Sequence, residues 1–141
     1  MDVKQLNEDA GAISAQGSIV IVVDDDPAVL SALKFALELE GLRIAAYRRG
    51  SELLAEPVLP SSGCLVIDYK LPGADGLSLL SDLRERGVTL PAILITSHPT
   101  QSLRRRAAAA TAPIVEKPLL GDVLSNAVWS ILAQGRAAAT T

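Results

Sequence analysis

Gly63-Cys64-Leu65-Val66-Ile67-Asp68-Tyr69-Lys70-Leu71-Pro72-Gly73 is the stretch from which the fold can be read. Small and apolar residues run without alternation into the carboxylate of Asp68, and Pro72 and Gly73 then turn the chain. An unalternated apolar run predicts a strand buried on both faces, as in a parallel sheet covered by helices. Asp68 then falls at the strand's C-terminal end, the edge outside which open α/β sheets bind ligands. Alone, an aspartate ending a strand is ordinary turn chemistry. Its company elsewhere in the chain gives it weight.

Working outward, Ser18 to Val23 is a second unalternated run and leads into Asp24-Asp25-Asp26. Pro27 suits the first position of a helix with Asp26 as its N-cap. Leu30, Leu33 and Leu37 recur at helical spacing, and Gly41 offers a stop. Leu42 to Tyr47 reads as a short strand, and Ser51 as the cap of a short helix through Leu54. Beyond Gly73, Asp75 starts a helix carrying Leu77, Leu80 and Leu83, which Gly87 ends. Pro91 to Ser97 is a fourth strand, and Ala-rich 100–110 is helical by propensity. Pro113 to Glu116 is a fifth strand, and 119–133 a final helix. Five strands alternating with five helices predict a parallel α/β sheet with right-handed crossovers. The expected division is a loose leader over 1–17, one domain over 18–134 and a tail over 135–141.

Composition narrows the function classes. With 141 residues and 49% hydrophobic content, the chain is long and apolar enough for one folded domain. A net charge of −3 argues against nucleic-acid binding through bulk charge. One cysteine excludes an internal disulfide and a Cys-rich zinc site. No apolar run approaches the ~20 residues of a membrane span, and the acidic N-terminus lacks a signal-peptide pattern. These features describe a soluble cytoplasmic domain.

Polar groups then gather at one sheet edge. The first strand ends in three aspartates, the third in Asp68 and the fourth in Thr96-Ser97, while Lys117-Pro118 follows the fifth. Parallel strands present their C-terminal ends on one side, so these groups can converge. Clustered carboxylates bind a cation or shift their pKa, and an all-oxygen set suits Mg²⁺. A carboxylate nucleophile, a cation, a lysine and a hydroxyl are what phosphoryl transfer needs.

Over roughly residues 18–134 the sequence resembles the receiver domain of bacterial two-component response regulators, of the single-domain type. The resemblance rests, in order, on Val22-Val23-Asp24-Asp25-Asp26-Pro27, Ile67-Asp68-Tyr69-Lys70-Leu71-Pro72-Gly73-Ala74-Asp75-Gly76, Ile95-Thr96-Ser97 and Glu116-Lys117-Pro118. It implies a flavodoxin-like (βα)5 fold, doubly wound, with strand order 2-1-3-4-5. It also implies that Asp68 accepts a phosphoryl group from a histidine kinase or phosphotransfer protein in a phosphorelay, forming an aspartyl phosphate. Asp24, Asp25 and Asp68, with the backbone carbonyl of Lys70, then hold Mg²⁺. Thr96 supplies the switch hydroxyl, Lys117 contacts the phosphoryl group, and Lys117-Pro118 is a cis peptide. The spacing to Pro27 leaves Asp26 as the helix cap. No enzymatic turnover of a separate substrate is implied, and no DNA-binding output domain is expected.

The pattern departs from the family in two places, one being Ala110-Thr111-Ala112-Pro113 where receivers tend to have a glycine before strand five. Receivers usually carry Tyr or Phe three residues before the lysine, and here that position is Ile114. The output face, formed by the fourth helix, fifth strand and fifth helix, would present Arg104, Arg105, Arg106, Ile114, Asp122 and Trp129. Pro118 also lies beside it. That face is expected to make a homodimer, with the basic triplet pairing to acids such as Asp122. An alternative function is a phosphorylation-independent adaptor, motivated by Ile114. A haloacid-dehalogenase-like phosphatase would need an acid where Lys70 stands. Arg104 to Arg106 can also be a merely solvated helix face, His98 a loop residue and Cys64 core.

Overall fold

The computed structural model describes residues 18–119 and 122–140, with side chains as far as 134. The expected leader, 1–17, lies outside the described residues. Five parallel strands form one sheet: β1 (Ile19–Val23), β2 (Arg43–Tyr47), β3 (Gly63–Asp68), β4 (Ala92–Thr96) and β5 (Ile114–Glu116). Their order is β2-β1-β3-β4-β5. Between and after them run α1 (Pro27–Leu39), α2 (Gly50–Leu54), α3 (Gly76–Glu85), α4 (Gln101–Ala109) and α5 (Val123–Thr140). The fold is the flavodoxin-like arrangement.

The unalternated runs are explained by burial on both faces. Strand side chains point to opposite faces in turn, so each run feeds two cores. Ile19, Ile21, Val23, Leu65, Ile67 and Leu94 pack with Leu53, Leu77, Leu80, Leu83 and Leu103 from α2, α3 and α4. Val20, Val22, Cys64, Val66, Ile93 and Ile95 pack with Leu30, Leu33, Leu37, Leu124 and Val128 from α1 and α5.

Several boundaries follow the expected chemistry. Asp26 caps α1 by accepting from the amides of Ala28 and Val29, and Asp75 and Thr100 cap α3 and α4. Gly87, at φ +90°, ends α3 in the left-handed conformation. Two expectations change. Ser51 does not cap α2: Arg49 occupies the cap position without a side-chain bond, and the helix begins at Gly50. The last helix begins at Val123 and continues to Thr140, past the expected end at 133. The Asp122 carbonyl opens it by accepting from the Asn126 amide and Ser125 hydroxyl. The alanines at 137–139 favour its continuation, outweighing the single glycine at 135. Among the described residues, no helix is long and apolar enough to cross a membrane.

Candidate functional site

Strand register brings the polar groups together. Val23 on β1 lies beside Ile67 on β3, so Asp24 leaves β1 level with Asp68. Asp68 lies beside Ile95 on β4, which puts Thr96 one residue further along the same edge. Thr96 in turn pairs with Glu116 on β5, and Lys117 follows directly. Four strand ends therefore meet at one point. Asp24 and Asp68 are buried, Asp25 is exposed, and each contributes a carboxylate oxygen to a group lying within 4.8 Å.

Lys117 reaches into this group. Its Nζ donates to Asp68 Oδ2 at 3.1 Å and stands 3.6 Å from Asp24 Oδ2. Burial alone pulls the Lys117 ammonium down, but the hydrogen bond and charge of Asp68, with the charge of Asp24, raise it overall. Asp24 is raised as well, chiefly because burial penalises its charge; neighbouring Asp68 and Asp25 add to this, against the Asp26 amide and Lys117. Its Oδ1 accepts from the Asp26 amide at 3.0 Å. Its Oδ2 is buried without a hydrogen bond. A buried carboxylate oxygen left unbonded among three acids is the donor a hard cation takes, so the residues fit Mg²⁺.

Asp26 spends its carboxylate on the α1 amides and stands outside the acidic group of Asp24, Asp25 and Asp68. Asp68 Oδ1 accepts from the Lys70 amide at 3.3 Å, while the Lys70 side chain is exposed. Thr96 is buried and its hydroxyl donates to the Ser97 carbonyl at 3.3 Å. Lys117-Pro118 is cis. His98 lies in the β4–α4 loop at φ +48°. Cys64 is fully buried, and burial pushes its thiol up to about 12; it is core.

The output face is less simple than expected. Ile114 is half-buried and packs on the core beneath α4, so it is not an exposed aliphatic. Arg104 pairs with Glu116 at 2.7 Å, and Arg106 with Asp75 at 3.5 Å and the Tyr69 hydroxyl at 3.3 Å. Arg105 is exposed and makes no ion pair among the described residues. The triplet is thus neither a uniform partner patch nor a merely solvated face. Asp122 and Trp129 are both exposed.

Two features escaped sequence reasoning. The first is Gly76, where a Cβ would stand 2.5 Å from the Asp68 carbonyl and 2.9 Å from Ile67 Cγ2. Asp75 reads only as the start of a helix, which carries no sign of this close approach. The second is the contact of Arg106 with Tyr69 and Asp75, which no local pattern encodes.

The family model described as response regulator receiver domain matches residues 20–128. The C4-dicarboxylate transport transcriptional regulatory protein DctD of Pseudomonas aeruginosa is 36% identical over 110 residues, covering 77% of this chain and 24% of that protein. The transcriptional regulatory protein FixJ of Azorhizobium caulinodans is 36% identical over 116 residues, covering 82% of this chain and 55% of that protein. The chain thus spans about half the length of these relatives or less. Among solved structures, FixJ-N superposes with a TM-score of 0.74 at 29% identity, covering 84% of this chain and 95% of that one. A CheY-like receiver domain protein from Methanospirillum hungatei gives 0.78 at 24% identity, covering 86% and 98% respectively, a likeness of fold.

Proposed function

The chain belongs to the response regulator receiver family, and from that premise we propose that Asp68 accepts a phosphoryl group from a histidine kinase or phosphotransfer protein. Receivers as a family bind Mg²⁺ at an acidic pocket and interact with such donors. Here the observation carrying the reading is Lys117 Nζ, held 3.1 Å from Asp68 Oδ2 and 3.6 Å from Asp24 Oδ2, two of the three converging carboxylates.

The chemistry follows from the residues. An Asp68 carboxylate oxygen forms a bond to phosphorus as the phosphorus–nitrogen bond of a phosphohistidine breaks, and the electron pair leaves on the imidazole. Asp24, Asp25 and Asp68, with the Lys70 carbonyl, would hold Mg²⁺, which supplies neutralising charge to the incoming phosphoryl oxygens. Lys117 supplies a second positive charge from the protein itself. Thr96, released from the Ser97 carbonyl, donates to the new group. The acyl phosphate carries about −2 where the carboxylate carried −1, and moves that charge outward onto three acceptor oxygens, which supplies the force for a change of surface. In this reading the domain is a signalling acceptor in the cytoplasm that acts through protein–protein contact and turns over no separate substrate.

Incubation with a small phosphodonor and Mg²⁺ tests this. An acid-stable, base-labile adduct should form, vanish in Asp68→Asn, fail in Asp25→Ala and persist in Asp26→Ala. An adduct on another residue would overturn the assignment. Ile114 favours a second reading, an adaptor whose contacts ignore phosphorylation; an intact adduct with unchanged partner affinity would support it.

A further inference from the structure

Arg104 and Arg106 are two positions apart in α4, about 200° around a helix axis, and they grip different parts of the molecule. Arg104 reaches Glu116, immediately before Lys117. Arg106 reaches back across the sheet edge, donating Nη1 to the Tyr69 hydroxyl at 3.3 Å and Nη2 to Asp75 Oδ2 at 3.5 Å. Tyr69 directly follows Asp68, and Asp75 caps α3. Arg106 therefore holds both ends of the loop that carries Lys70. The Tyr69 backbone is fixed: its amide donates to Ile95 O at 2.8 Å and its carbonyl accepts from Gly76 at 2.7 Å. Its hydroxyl is the part that touches α4.

We propose that Arg106 is a positioning residue that couples α4 to the β3–α3 loop, so that the Asp68 site is read through Tyr69 and Asp75. This rests on the reading of Asp68 as the phosphoryl acceptor. On β5, Ile114 carries no hydroxyl and is packed on the core, so that strand offers no polar lever at this position. A guanidinium fork engages two acceptors at once, which a lysine's point charge does not reproduce. Exposed ion pairs are individually weak, which suits a contact that must yield when a highly charged group arrives. Coupling is reciprocal: whatever reseats the loop reseats α4, and the reverse.

Amide hydrogen exchange of the full chain, unphosphorylated and without Mg²⁺, tests the coupling at Gly76 and at the amides of 104–110. Arg106→Gln should speed exchange at both places by about two- to fivefold, the range of an exposed ion pair. Tyr69→Phe, which removes only a hydroxyl on another element, should speed exchange in α4. Asp75→Asn, which keeps the cap, should do the same. Arg106→Gln should add less in the Tyr69→Phe background than alone, and Arg106→Lys should restore only part. Lys34→Gln, which breaks a surface ion pair on α1, should change nothing at either place. After phosphorylation, α4 exchange should shift in the wild type and lose most of that shift in Arg106→Gln. The proposal falls if Arg106→Gln matches Lys34→Gln, if Tyr69→Phe leaves α4 unmoved, or if α4 responds fully without Arg106. A wild type that takes no phosphoryl group refutes the acceptor reading, while exchange in the unlabelled protein still decides the coupling.

Discussion

Asp24 is the residue where stability and function pull apart. Burial raises its pKa above the ordinary 3.8, with Asp68 and Asp25 adding to the rise. The folded state therefore binds its proton more tightly than the unfolded chain does. By linkage, stability falls as pH rises from 3.8 through the folded value, and the cost persists at neutral pH. Asp24→Asn keeps an acceptor for the Asp26 amide and removes the buried charge. In metal-free buffer at pH 7 it should stabilise by about 1 kcal/mol, roughly 3–5 °C in melting midpoint. With Mg²⁺ only the wild type should gain. Thermal melts with and without Mg²⁺ decide it; a metal-free variant melting below wild type would refute the dominance of burial. Cys64 offers a second check. Its thiol is buried and pushed up to about 12, so a thiol reagent should label it only as fast as the sheet opens. Fast labelling of native protein would contradict that burial.

At the scale of the elements, the approach of α3 to the end of β3 sets the Asp68 backbone. Gly76 makes that approach possible, since a Cβ there would meet the Asp68 carbonyl at 2.5 Å. Gly76→Ala should cost about 1–3 kcal/mol through overpacking and also impair phosphoryl uptake. Gly87→Ala is the contrasting case. That residue sits at φ +90° with nothing within 4 Å of the added carbon. It should cost about 1–2 kcal/mol through backbone conformation alone and leave uptake unchanged. Urea midpoints paired with labelling rates separate the two. Equal losses of uptake in both variants would show that the helix approach does not shape the site.

For the whole molecule, a signal leaves through a surface that a partner can bury. The α4–β5–α5 face carries Trp129 at 37% exposure and Val123 at 57%, apolar area that gains by burial at roughly 25 cal/mol per Å². With Arg104 and Arg106 engaged within the chain, Arg105 and Asp122 are left to pair across a two-fold axis, each contact occurring twice. The proposed homodimer should be visible by sedimentation before phosphorylation. Trp129→Ala should weaken it about tenfold or more, as expected for an aromatic anchor, and Arg105→Glu should weaken it less. A monomer at every concentration, unmoved by either change, would leave this face without that role.

The sequence by itself determined the strand count, the parallel sheet and the meeting of Asp24, Asp25, Asp68, Thr96 and Lys117. These are legible because unalternated runs fix two-sided burial, and parallel strands must present their C-terminal ends together. Asp26 as a cap was legible for the same local reason, the proline that follows it. Tertiary structure alone decided the rest. Whether Ile114 is exposed depends on how α4 lies over β5, and the partners of Arg104 and Arg106 depend on which elements their long side chains can reach. Gly76 gives no local sign that a helix presses on a strand end. Such contacts join residues far apart in the chain, at distances set by packing, and neither periodicity nor propensity carries that information.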